Sequence, residues 1–170
     1  MHLTQESLQR FCKDDPTTTE FVHIDGVHID RMRPDSLLRC SCMVSLKLTH
    51  ADLLTVEGKA LAGCANLWWI DLSHNRLSAS SLEDSGLSSF PALGLLNLSH
   101  NRLTPDSLGA ISEVEVLQLS LSGNAELLGE TYRATVMHRV PATWVLDEHF
   151  VTYDEHAAAA RASRGQKRVL

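Results

Sequence analysis

With 170 residues, 44% apolar and 21% charged, the chain has an ordinary globular composition and enough apolar side chains to fill one core. No run of about 18 apolar residues occurs, "MHLTQESLQR" lacks the basic-then-apolar pattern of a leader, and position 2 is not Gly, which predicts a soluble, unprocessed, intracellular protein. The net charge of −6 argues against nucleic acid as the main ligand, and four irregularly spaced cysteines (Cys12, Cys40, Cys42, Cys64) make neither a disulfide framework nor a zinc set, so reduced thiols are expected.

The first predicted element is a cap over residues 1–18. Leu3, Ser7/Leu8 and Phe11/Cys12 recur at helical spacing, which predicts a short helix covering one end of the domain. From residue 19 the chain repeats itself. Thr19, Val22, Ile24, Val27 and Ile29 form a first copy, and Met43, Leu46, Leu48 and Leu53 a second, with Ala51 where later copies have Asn. "LWWIDLSHNRL" (67–77) and "LGLLNLSHNRL" (93–103) follow, then Val116, Leu119, Leu121 and Asn124. These fit L-x-x-L-x-L-x-x-N-x-L, the leucine-rich repeat signature, with starts at 19, 43, 67, 93 and 116. The prediction is an α/β fold: a short leucine-rich repeat solenoid of about five turns over residues 19–129, with a parallel concave sheet, a helical or irregular convex side and helical caps.

Position within the repeat sets each role. The two leucines flanking a single residue point inward from a short strand. Asn75, Asn101 and Asn124 are expected to stack as a structural ladder that satisfies backbone groups, because a buried unpaired polar group costs about 1–3 kcal/mol. On the convex side, Val56, Ala60, Leu61 and Cys64 share helical spacing, Ser80 and Glu83 fit a capping box, and Thr104 with Pro105 reads as a helix start.

Residues 130–156 read as a second cap. A helix carrying Tyr132, Val136 and Val140 is stopped by Pro141, the strand-like "TWVLD" follows, and Thr152 with Glu155 opens another helix. Residues 157–170 hold Arg161, Arg164, Lys167 and Arg168 and no acidic residue. This basic tail reads as a solvated end or as an arm for an acidic surface, and its removal is expected to leave the fold intact.

Tyr132, Arg133, Pro141, Leu146, Asp147, Val151, Thr152 and Glu155 together resemble the C-terminal cap of one group of intracellular leucine-rich repeat proteins. That group includes the phosphatase-1 regulator of the suppressor-of-dis-two type, the U2 snRNP A-prime protein, axonemal dynein light chain 1 and several ciliary proteins. Residues 66–73, "NLWWIDLS", and "SLKL" at 45–48 are similar to a ciliary type within it. Ala51, off the Asn ladder, and Ala125, where Pro is common at this junction, depart from the pattern. The resemblance implies a non-catalytic scaffold or adaptor of a ciliary or flagellar axoneme, binding axonemal proteins or tubulin in the cytoplasm or cilium. A regulatory or ribonucleoprotein binding module, with a nuclear location, is the alternative.

Solvent-facing positions of the concave sheet come to Phe21, His23 and Asp25; Ser45, Lys47 and Thr49; Trp69, Asp71 and Ser73; Leu95, Asn97 and Ser99; Gln118, Ser120 and Ser122. Phe21, His23, Lys47, Trp69, Asp71, Leu95 and Asn97 are the candidate partner-binding residues, with Trp69 first because tryptophan is enriched among interface anchors. Trp68 is placed at the edge of this face, partly buried. Chemistry is not expected: His74 and His100 share one repeat position, Asp71, Ser73 and His74 are neighbours in sequence alone, and no Gly-rich phosphate loop occurs. Hence no enzyme activity, cofactor, metal, small-molecule substrate or membrane contact is expected.

Overall fold

A computed structural model describes residues 1–12, 14–127 and 129–166. The chain begins with a two-residue strand, β1 (His2–Leu3), and one helical turn, α1 (Gln5–Leu8). Thr4 sets that boundary. Its hydroxyl accepts the Ser7 amide at 3.2 Å while its own amide donates to the Ser7 hydroxyl at 2.8 Å, so the helix starts after Leu3. Leu3 is therefore buried from a strand, not from the longer helix its spacing predicts.

The repeats supply β2 (Phe21–Asp25), β3 (Arg31–Met32), β4 (Ser45–Thr49), β5 (Thr55–Val56), β6 (Trp69–Asp71), α2 (Ala79–Asp84), β7 (Ala92–Asn97) and β8 (Glu115–Ser120). Short 3₁₀ helices occupy Ala60–Gly63, Leu87–Ser89 and Pro105–Ile111. The cap adds α3 (Tyr132–Arg139), β9 (Val145–Leu146), β10 (His149–Phe150) and α4 (Tyr153–Gln166). The main sheet runs β2-β4-β6-β7-β8-β9-β10, parallel except for the last strand. This is the short leucine-rich repeat solenoid.

Inward positions form one core: Val22 and Ile24, Leu46 and Leu48, Ile70 and Leu72, Leu96 and Leu98, Leu119 and Leu121, and Leu146. Each such burial is worth about 1.5–3 kcal/mol, and a turn achieves it only by stacking on its neighbours. Asn75, Asn101 and Asn124 are buried beside this core. Asn75 Oδ1 accepts the Ala51 and Leu53 amides at 3.1 and 3.0 Å, and its Nδ2 donates to the Leu48 and Leu72 carbonyls at 2.8 and 3.0 Å. Asn101 and Asn124 repeat the arrangement one and two turns on, each reaching back to the turn before.

On the convex side the first two turns and the amino terminus form a second parallel sheet, β1-β3-β5. Val56 belongs to it rather than to a helix with Ala60. Gly58 and Lys59 adopt φ of +56° and +59° between them, which breaks any helix there. Ser80 likewise is not a cap: α2 starts after Ser78, and Ser80 lies inside the first turn. Thr104 does cap the Pro105–Ile111 helix, paired with Ser107. Cys40 and Cys64 are buried, Cys12 is half-buried, and all four thiols are free.

In the cap, Thr152 and Glu155 bond reciprocally, the Thr152 amide donating at 2.8 Å, and α4 follows. α4 continues without a break through Gln166, so the division placed after residue 156 falls inside a helix. Ala159 is buried and α4 packs along α3, so the helical turn around Ala159 belongs to the cap. Residues 167–170 lie outside the described part. β9 falls within the strand-like "TWVLD", whereas β10 and the hairpin it closes are not expected from the sequence. Asp147 and Glu148 take φ of +48° and +66° in its two-residue turn, the double left-handed geometry that matches strand twist.

Candidate interaction surface

Strand register aligns the concave side chains in rows. Phe21, Ser45, Trp69, Leu95, Gln118 and Val145 form one row across six strands. Phe21 is 69% exposed and Trp69 49%, with Leu95 and Val145 half-buried. One residue earlier runs a second row that the sequence reading did not assemble: Val44, Trp68, Gly94, Leu117 and Trp144. The Trp68 amide donates to Val44, that of Gly94 to Trp68, and that of Trp144 to Leu117, at 2.9 to 3.0 Å. Trp68 is as exposed as Trp69, and Trp144 more so at 62%. The Trp68 indole lies across Gly94, where an added Cβ would stand 2.0 Å from Nε1, so the missing side chain seats the ring. Together the rows make an aromatic band along the leading edge of the strands.

The next row, His23, Lys47, Asp71, Asn97 and Ser120, turns polar. Two of its members are occupied by the fold. Asp71 is buried, and its Oδ1 accepts the Ser73 amide and hydroxyl at 3.0 and 2.7 Å, while Lys47 Nζ lies 3.9 Å from Oδ2. Asn97 holds Ser99 in the same way at 3.1 and 2.8 Å. Thr49, Ser73 and Ser99, expected to face solvent, are buried too. Strands end here, and a side-chain acceptor two residues before the turn satisfies amides that no ladder partner reaches.

Beyond that row the chain enters the turn at a left-handed residue in every repeat: Gly26, His50, His74, His100 and Gly123. The three imidazoles stack, with centroids 4.2 Å apart at both contacts. Asp25 Oδ1 lies 2.9 Å from His50 Nδ1 and accepts the Thr49 hydroxyl at 2.5 Å, and these bonds hold its carboxyl below the usual range. Burial first, then the imidazoles on either side, lower the His74 pKa. Among the described residues no hydrogen bond joins His74 to Ser73, and no group of three or more His, Cys, Asp or Glu is placed to hold a metal ion.

The cap residues converge behind the last strand. Asp147 Oδ1 accepts the Leu121 and Ser122 amides at 2.7 and 2.9 Å, and Oδ2 accepts the Tyr132 hydroxyl at 2.5 Å. Burial and that bond push the Tyr132 phenol well above its ordinary value. Arg133 pairs with Glu155 and donates to the Phe150 carbonyl at 2.8 Å, and it holds the Glu155 carboxyl down at about 2. Leu146 is buried, whereas Pro141 is exposed just past α3. These contacts seal the solenoid's end.

One parallel strand per repeat and an asparagine ladder define a leucine-rich repeat fold. The family model described as "Leucine rich repeat" matches residues 19–77. A solved structure from Caenorhabditis elegans, titled as a tropomodulin C-terminal domain, is similar at 15% identity with a TM-score of 0.49, covering 97% of this chain and 94% of that chain. No curated protein matches the chain.

Proposed function

We propose that this chain is a non-catalytic scaffold that docks a protein segment on its aromatic leading edge, and that it serves as a structural or adaptor subunit of a ciliary or flagellar axoneme, of the leucine-rich repeat-containing protein 51 type. The observation that carries the docking reading is the band itself. Phe21, Val44, Trp68, Trp69, Leu117 and Trp144 expose large apolar side chains at five of the six strands, with half-buried Leu95 on β7 between them, and apolar patches of this kind mark interaction sites. Six strands spaced about 4.8 Å apart extend the band over roughly 24 Å, the length of a helix of about 16 residues. An amphipathic helix laid across the strands places one apolar face along it.

The ciliary reading rests on the likeness of residues 66–73 and 45–48 and of the cap side chains. Axonemal proteins or tubulin are the corresponding partners, with the cilium or flagellum as the location. A tagged copy in cells bearing motile cilia tests this. Retention with microtubule doublets after a salt wash is expected, and a diffuse cytosolic signal would sink it. Co-purification with a phosphatase catalytic subunit or small nuclear RNA, with nuclear signal, would favour a regulatory or ribonucleoprotein module, which the same cap residues support.

A further inference from the structure

The trailing edge of the concave face carries a feature that the aromatic band does not use. Three successive turns place histidine at a left-handed position, with φ of +48°, +55° and +52°, where the flanking turns use Gly26 and Gly123. Glycine adopts that conformation without strain, so the turn itself does not demand imidazole. The rings lie nearly parallel, 17° and 12° apart, and all three residues are exposed. Each end of the column is fitted to it. Asp25 binds His50 Nδ1 at one end, and at the other a Cβ on Gly123 would stand 2.4 Å from His100 Nδ1. Parallel rings point their in-plane lone pairs side by side, which leaves no common point for a chelated ion.

The charges around the column are few. Asp25 and Asp71 lie on the strand side. Next to it, Asp52 is shared between His28 at 3.1 Å and Arg76 at 2.7 Å. Arg102, one turn on, has no ion pair among the described residues, and the last turn brings Gly123, with Glu126 three residues beyond. His23 and Lys47 stand on the neighbouring strands, with Lys47 near Asp71. Among the described residues none of His74, His100 and Arg102 is ion-paired with a carboxylate, so the exposed edge there is a strip of potential cations.

We propose that the His50–His74–His100 column, with Arg102, is a proton-gated binding strip for carboxylate side chains, so that the docked partner carries an acidic row across the concave face from its apolar anchors. The inference rests on the docking reading above and adds the partner's charge. Burial, and then the rings stacked on either side, disfavour the charged form of His74 in the free column. Carboxylates laid along it favour the charged form, and by linkage binding tightens as pH falls through the histidine range. One unit of upward pKa shift at one ring corresponds to about tenfold tighter binding.

NMR titration of the histidine rings of the full chain, with poly-L-glutamate as probe and poly-L-lysine as control, tests the strip. Poly-glutamate is expected to raise the His50, His74 and His100 pKa values by about half a unit or more, to leave His2 and His149 behind, and to bind about tenfold more tightly at pH 6 than at pH 8. The triple variant H50Q/H74Q/H100Q should lose that pH dependence. Equal shifts at all nine histidines, no shift, or pH dependence that persists in the triple variant would overturn the inference. The wild-type titration decides the matter even if the variant does not fold. Because poly-glutamate has no apolar anchors, a selective shift with no Trp69-dependent docking would defeat the docking reading alone, and docking without the shift would defeat the strip alone.

Discussion

Side chains on this solenoid divide by whether removing them leaves a buried group without a partner. Asn75→Ala strands the Ala51 and Leu53 amides and the Leu48 carbonyl of the preceding turn together with the Leu72 carbonyl of its own, and a loss of about 3 kcal/mol is expected in denaturant unfolding. Trp69→Ala removes a half-exposed ring instead. Partner affinity should fall about 30-fold (~2 kcal/mol) while the melting temperature hardly moves; the reverse pattern would assign Trp69 to the fold. Gly94→Ala drives a methyl into the Trp68 indole, so the ring must swing off the band, and a red shift of tryptophan emission is its signature. Leucines, asparagines and the two strong repeats were legible in the sequence because each answers to burial or backbone satisfaction. Val44, Trp68, Leu117 and Trp144 stand one place before the row counted as concave. A strict inside-outside alternation assigns that place to neither face, although each residue sits at the same repeat position. Asp71 is buried on Ser73 for a related reason, since alternation says where a side chain points and not whether the following turn consumes it.

Elements resist sequence reading where they are two residues long. Val56 shares spacing with Ala60 and Leu61 by coincidence, and only the left-handed pair Gly58-Lys59 shows that the run is broken. β10 is likewise invisible until the Asp147-Glu148 turn is seen. At the opposite extreme, α4 runs to Gln166, close to the end near Gly165 that the sequence leads one to expect, but its alanines suit both a packed helix and a solvated end, and packing on α3 draws Ala159 into the cap. Truncation after residue 156 should therefore destabilise the protein by about 1–2 kcal/mol, lowering its melting temperature by several degrees. An unchanged melting curve would return residues 157–166 to the role of a tail.

For the whole molecule, pH separates the cap from the turns. Glu155 titrates near 2 in the folded chain against 4.5 when unperturbed, so its contribution is complete above about 4.5 and drains away as pH falls toward 2. Glu155→Gln should flatten the acid limb of the stability curve in that interval. His74 works at higher pH and with the opposite origin. Its lowered folded pKa means that the unfolded chain binds more protons just below 6.5, and stability declines as pH drops through that value. A pH-independent melting temperature between 5 and 7 would contradict the stacked column.

Ala51 occupies a ladder position without an amide, and the convex sheet β1-β3-β5 spans the turns that lack rungs. Asparagine side chains take over at turn three, and Asp147 completes the series at the cap. The stack is thus fastened by backbone ladders in its first half and by side-chain staples in its second. Amide exchange should see two cooperative blocks meeting at the second turn. Deleting the Asn75 staple would strand the Ala51 and Leu53 amides at the junction of the two blocks, leaving Phe21 firmly presented while Trp69 and Leu95 lose their footing.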